Sequence, residues 1–327
     1  MRRLWSSSLL VALATLVGCA GGPAPPGGDE APADTGLEPT AVLATNVGSV
    51  ADLALAGDTV YALIGSPDAL SLIAVPMAGG PATTLTTGIE GARSLAGFGN
   101  SCAYPDQSTG DAYLATPGQG TELISKGFSG EVGPWIASEG QVFFYARPSD
   151  GVIASVGLSA SGGGGDEPTA PPQLLKPLGT AGDPELLAAG EEHVYFAQDN
   201  RSVLARLPVG GTDETPEAVT TTLGTLTDVD ATGSRYIAAG TGGVRIGEVS
   251  LTSRGDVVAV ALAGEGLGYA TRDAVYGVAE GTSVAEVANG EGISHLVGGE
   301  GVLVFADDTG GGRIALVDLT PPSEEPG

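Results

Sequence analysis

Basic residues are scarce in this chain: 13 Lys and Arg stand against 39 Asp and Glu, a formal charge of −26. Loss of Arg2 and Arg3 with an N-terminal leader would take that charge from −26 to −28. Such a balance argues against nucleic acid as a partner, because affinity for phosphates comes largely from Lys and Arg displacing counterions. An acidic surface instead keeps an exported protein soluble, and the expectation is a monomer. Cysteine is rarer still. There are two, and Cys102 has no intramolecular partner once Cys19, at the end of the apolar N-terminal segment, is lipidated. No disulfide framework is available, so burial in a large core must hold the domain. The two histidines, His193 and His295, have no Cys, His or Asp beside them at metal-ligand spacing. The sequence contains no G-x-S-x-G elbow, H-E-x-x-H pair or phosphate-binding loop. The Gly runs 162–165 and 310–312 lack the strand-to-helix setting that a phosphate site needs.

What is present begins with a leader. Arg2 and Arg3 precede an apolar run from Leu9 to Val17, followed by Gly18 and Cys19. This is the three-part pattern of a secretory signal, and the run is shorter than the roughly 20 apolar residues of a membrane span. Leu16-Val17-Gly18-Cys19 resembles the lipobox of bacterial lipoproteins. That resemblance implies cleavage ahead of Cys19, lipidation of its thiol and anchoring in the bacterial cell envelope. With Ala20 rather than Asp after the cysteine, it also implies the outer rather than the inner membrane. Several acyl chains on one residue give stable attachment where a single chain is marginal. Residues 19–38 then form the lipidated cysteine and a Gly, Pro and acid-rich tether without hydrophobic periodicity.

Beyond the tether one pattern recurs: a short apolar strand, a turn, a strand rich in Val, Tyr and Phe, a polar turn, and further strands. Its clearest copies start at Val50, Pro184 and Ile293, and weaker ones at Ala92, Gly133, Leu226 and Gly268. Anchored on Gly57, Gly99, Gly140, Gly190, Gly233, Arg272 and Gly299, the spacings are 42, 41, 50, 43, 39 and 27 residues. The typical value suits a four-stranded propeller blade. The long interval holds a low-complexity insertion near residues 159–172. The short one predicts a reduced sixth blade around residues 265–290. The expected fold is therefore an all-β propeller over residues 39–320 with seven blades, six being the alternative, and a disordered tail over 321–327.

The ends of the repeat suggest how the ring closes. Residues 40–45 read as a fourth strand that precedes blade one, while the last blade stops after its third strand, RIALVDL from Arg313. Each end supplies what the other lacks, so residues 40–45 should pair with the strand near Ile314–Leu319. Closure removes exposed sheet edges. The segments VYFAQDNRSVLARLPVGG from Val194 and VYALIGSPDALSLIAVPMAGG from Val60 resemble YWTD-type propeller repeats of bacterial surface proteins. Families with that fold include binding scaffolds and enzymes, so the fold does not supply the function.

Candidate site residues follow from propeller geometry, in which the loops leading into the innermost strands surround the channel mouth. Those positions carry Asp52, Arg93, Trp135, Glu185, Asp228 and His295. Trp135, the one tryptophan outside the leader, is a candidate anchor for a ligand or partner. No cofactor is expected. Calcium is the alternative, since Asp307 with Asp308, and Asp228 with Asp230, are carboxylate pairs of the kind that ion takes. The expected function is a non-catalytic envelope lipoprotein presenting a propeller as a binding or protein-interaction platform. A lyase or hydrolase using carboxylates and a metal at the channel mouth is the alternative.

Overall fold

The structure is a computed structural model, and it describes residues 38–125, 135–139, 142–147, 152–157, 173–177, 184–209, 216–220, 222–279 and 283–319. The chain divides into Met1–Thr35 and Gly36–Gly327, and everything below concerns the second unit. The leader, Cys19, most of the tether, the insertion at 159–172 and the tail lie outside the described residues.

The second unit is a seven-bladed β-propeller. Seven antiparallel sheets of four strands follow one another along the chain, and within six of them the strands are paired in sequence order. The innermost strands are Val50–Ala56, Ala96–Phe98, Ile136–Glu139, Glu185–Ala189, Leu226–Thr232, Ala259–Ala263 and Ile293–Gly299. Each lies against the next, and the last lies against the first.

The strand chemistry explains this stacking. In the second strand of blade 1, Thr59–Ser66, Val60 and Ala62 point to one face and Tyr61 and Leu63 to the other, all fully buried. A strand covered on both faces reads as a continuous apolar run rather than an alternation. Accordingly the core is not one mass but seven apolar clusters, one in each gap between neighbouring blades. Tyr61, Leu63 and Cys102 meet between blades 1 and 2, while Val60 and Ala62 meet Val304 and Ile314 between blades 1 and 7. Cys102 is a buried free thiol, and burial pushes its pKa well up. It behaves there as a small hydrophobe.

Closure is as the two chain ends suggest. Ala41–Thr45 is the outermost strand of blade 7, with Ala41 opposite Leu316, Val42 opposite Ala315, Ala44 opposite Ile314 and Thr45 opposite Arg313. Leu43 from this strand is buried among Val304, Ala306 and Ile314.

The sixth blade corrects the sequence reading. It has four full strands, Ala259–Ala263, Gly266–Ala270, Ala274–Val278 and Ala285–Asn289, each of five residues. Its first hairpin turns at Gly264–Glu265, with Gly264 at φ +60. Arg272 lies in the second hairpin instead, one strand further on. The interval of 27 residues arose because Arg272 is not the equivalent turn; measured from Gly264, the intervals are 31 residues from Gly233 and 35 to Gly299, and no strand is missing.

Candidate functional site

Innermost strands of neighbouring blades do not pair as a continuous sheet, so each leaves backbone N–H and C=O groups facing the axis that need other partners. Side chains from the preceding blade supply several of them. Asp52 Oδ2 accepts from the Leu95 N–H at 2.6 Å. Ser94 Oγ accepts from the Ile136 N–H at 2.6 Å and bonds its carbonyl at 2.9 Å. Asp228 Oδ2 accepts from Val260 N–H at 2.8 Å, and Asp230 Oδ2 from Leu262 N–H at 2.7 Å. Between blades 7 and 1, Asp308 Oδ1 accepts from the Val50 N–H at 3.0 Å. These contacts form a set of side-chain latches joining blades 1 to 2, 2 to 3, 5 to 6 and 7 to 1.

The backbone aims these groups. In blades 1, 5 and 7 a bulge sits immediately ahead of the channel-facing residue, between Val50 and Asp52, Leu226 and Asp228, and Ile293 and His295. A bulge bends its strand and redirects a side chain. Further along the same strands the backbones nearly touch. A Cβ on Gly97 would fall 1.9 Å from the Leu55 carbonyl oxygen, and one on Gly298 would fall 1.9 Å from that of Leu262. Only glycine permits that approach.

The strands enclose an axial cavity of 1070 Å³. All six residues singled out from the sequence line it. Its lining also includes Pro67, Asp68, Gln107 and Arg201, all at turns between second and third strands, so it opens toward that face. The described chain ends lie on the opposite face: Leu319 N–H donates to the Gly301 carbonyl in a turn between first and second strands, and Thr40 Oγ1 accepts from the Asp318 N–H.

Electrostatics separates the residues of the wall into two kinds. Asp52, Asp228 and Asp230 reach the channel but are otherwise surrounded by protein, and desolvation raises them from 3.8 to about 8, about 7 and about 6. Their backbone donors oppose the shift without overcoming it. Burial likewise lowers the pKa of His295, whose Nδ1 lies 3.0 Å from Ser294 Oγ and which also bonds the backbone of Ala51 in blade 1.

The second kind lies at the mouth on blades 2, 3 and 4. Arg201 Nε donates to Glu185 Oε2 at 2.5 Å, and its guanidinium carbon sits 5.9 Å from the centroid of the Trp135 ring. Trp135 is half-buried and packs against the clusters on both sides of blade 4. Arg93 is exposed and makes no hydrogen bond or ion pair among the described residues. Strain accompanies this group. Leu186 has φ +54, and Asp199, Asn200 and Arg201 have φ +51, +54 and +63. Asn and Asp adopt that region readily, whereas Leu and Arg do so at a cost of order 1–3 kcal/mol each. The strained residues flank or carry the Glu185–Arg201–Trp135 contact. Such strain persists where surrounding structure holds it, commonly at ligand clamps.

Sequence reasoning placed the mouth but not all of its members. Counted five residues back from the turn glycine, as Asp52 is from Gly57, the equivalent of Asp52 in blade 2 is Ser94 rather than Arg93. Asp230 was seen only as part of a carboxylate pair, and Arg201 was not singled out at all. The carboxylates considered for calcium are otherwise engaged. Asp307 pairs with Arg313 at 3.0 Å and accepts from Thr309, while Asp228 and Asp230 hold blade 6. Among the described residues no three His, Cys, Asp or Glu side chains converge as a metal site.

No protein-family model matches this sequence, and no curated protein matches it. Solved structures do match in fold. Virginiamycin B lyase from Staphylococcus aureus is similar with a TM-score of 0.60 at 11% identity, covering 84% of this chain and 97% of that one. The β-propeller domain of Cps50 (Swd1) from Myceliophteria thermophila is similar at 0.56 and 12% identity, covering 85% and 98%. PorZ, a bacterial surface component of the type-IX secretion system of Porphyromonas gingivalis, is similar at 0.57 and 11% identity, covering 85% of this chain and 38% of that one. At these identities the likeness shows the fold alone, a β-propeller shared by proteins of unlike activity.

Proposed function

We propose that this chain is a non-catalytic lipoprotein of the bacterial cell envelope, held by lipid on Cys19, whose propeller mouth is a binding or protein-interaction platform. The observation that carries this reading is the commitment of the wall's carboxylates to backbone. Asp52, Asp228 and Asp230 each hold an N–H of the following blade. General acid or base work needs a group free to reach the substrate's proton, and both oxygens of Asp228 and of Asp230 already accept backbone N–H groups. Binding functions fall to what remains at the mouth, namely Arg93, Trp135, Glu185 and Arg201. The envelope setting rests on the lipobox-like Leu16–Cys19 segment and, for the outer membrane, on Ala20. Similarity in fold to a bacterial surface component is compatible with it.

A second reading, a propeller lyase or hydrolase, is favoured by one observation: the raised pKa values of three cavity carboxyls, a feature of many acid–base sites. One experiment separates the two. The lipidated protein is captured from its own envelope as wild type, as Arg93→Ala/Trp135→Ala and as Asp228→Asn. On the platform reading a stable partner accompanies the wild type and Asp228→Asn but is lost from the double variant. Equal recovery with the double variant, or no partner with any form, contradicts it. The anchor is tested by radiolabelled palmitate, which should label the wild type and not Cys19→Ala. Undiminished label on the variant would remove the envelope assignment.

A further inference from the structure

We infer that the mouth of the channel binds a ring compound bearing a carboxylate, with Arg93 and Arg201 receiving the acid group and Trp135 receiving the ring. The inference rests on the mouth being the receiving face, as proposed above, and adds the chemical class of what it receives. Three consecutive blades contribute the group: Arg93 precedes the inner strand of blade 2, Trp135 that of blade 3, and Arg201 enters from a turn of blade 4. All three line one cavity of 1070 Å³, large enough for a small organic ligand.

The charge pattern gives the sign. Acids outnumber bases threefold here, 39 to 13. Arg206, Arg235, Arg254 and Arg313 each pair with a carboxylate, and Arg245 bonds Thr222 and the Glu248 carbonyl. Arg93, like the exposed Arg272, has no such partner among the described residues, although acids are plentiful in this chain. Arg201 offers only Nε to Glu185, and its terminal amino groups make no hydrogen bond among the described residues. Two guanidinium groups with unused donors therefore line the cavity on the blades either side of the one that carries the indole. A guanidinium fork matches a carboxylate in geometry as well as charge.

The class is planar because of Trp135. It is half-buried, fixed by packing on both sides of blade 4 and by Arg201, so little freedom is lost when a ring settles beside it. The left-handed backbone at Leu186 and at 199–201 holds Glu185 and Arg201 in place before a ligand arrives. Asp52 and Asp228 stand on the flanking blades 1 and 5, where each accepts a backbone N–H of the next blade, so both are engaged before an anion arrives.

The chain has only two tryptophans, Trp5 and Trp135, and this provides a direct readout. In full-length protein carrying Trp5→Phe, all tryptophan fluorescence comes from Trp135. Titration with benzoate, benzamide and benzamidine presents one ring with negative, neutral and positive substituents. Benzoate should change the emission saturably, and benzamide should bind about tenfold more weakly for want of a charge-assisted bond. Benzamidine should not saturate, and Arg93→Gln should reduce benzoate to the affinity of benzamide. No saturable response to benzoate, equal or tighter binding of benzamidine, or an Arg93→Gln variant that binds benzoate like the wild type would each overturn the inference. If benzoate fails while envelope capture still depends on Arg93 and Trp135, this ligand class is wrong and the platform reading stands.

Discussion

Ser94 shows how much one small side chain does in this ring. Its hydroxyl accepts from the Ile136 N–H and bonds the Ile136 carbonyl, joining blades 2 and 3 in a buried position. Ser94→Ala leaves both backbone groups without that partner and should cost about 1–3 kcal/mol, measured by chemical denaturation. Gly97→Ala and Gly298→Ala should each cost about 1–3 kcal/mol or more, because the new methyl meets rigid backbone rather than a movable side chain. Little of this could be read from the chain. Asp52, Asp228 and His295 were legible as channel-facing because bulge, strand and turn recur at constant offsets. Ser94 was one residue from the position named, and the same count back from Gly99 would have found it. Arg201 left no local signal, since it reaches the mouth from a turn of blade 4 that follows the inner strand Glu185–Ala189 by twelve residues along the chain.

At the scale of the strand, closure depends on the short segment Ala41–Thr45. Leu43 is its buried residue, set among Val304, Ala306 and Ile314. Leu43→Ala should destabilise by about 2–5 kcal/mol in thermal or chemical melts. Removal of residues through Thr45 would bare the edge of Arg313–Asp318 and should produce concentration-dependent aggregation in size-exclusion chromatography. A truncated protein that stays monomeric and melts like the full chain would count against the closure argument. The complementary chain ends were legible because the fragments PTAVLAT and PATTLTT look alike and stand in equivalent places. The sixth blade was misjudged because VYGV in the third strand, Ala274–Val278, has the Val-Tyr character that elsewhere marks the second.

Taken as a whole, the molecule is a ring of sheets with apolar cores between blades and polar latches along the axis. The short apolar runs that build the cores were readable in the sequence, bounded by turns. The latches were not, because an aspartate on a strand looks the same whether it faces solvent or a neighbouring blade. They make the ring sensitive to protons. Asp52, Asp228 and Asp230 hold their protons to higher pH in the folded ring than in the unfolded chain, with values of about 8, about 7 and about 6 against 3.8. Folding therefore takes up protons, and this contribution to stability is complete below 3.8 and lost as pH rises through those three values. Asp307 works in the other direction, since its bonds from Thr309 and Arg313 outweigh its burial and lower its pKa. Its contribution is lost on acidification.

The pH dependence of the melting temperature, compared between wild type and Asp52→Asn/Asp228→Asn, tests the latch assignment most directly. The wild type should melt progressively lower from mildly acidic pH toward pH 8, and the variant, which cannot ionise at either position, should lose much less over the same range. Parallel curves for the two proteins, or a wild type that gains stability toward pH 8, would contradict the assignment of these carboxyls as desolvated links between blades.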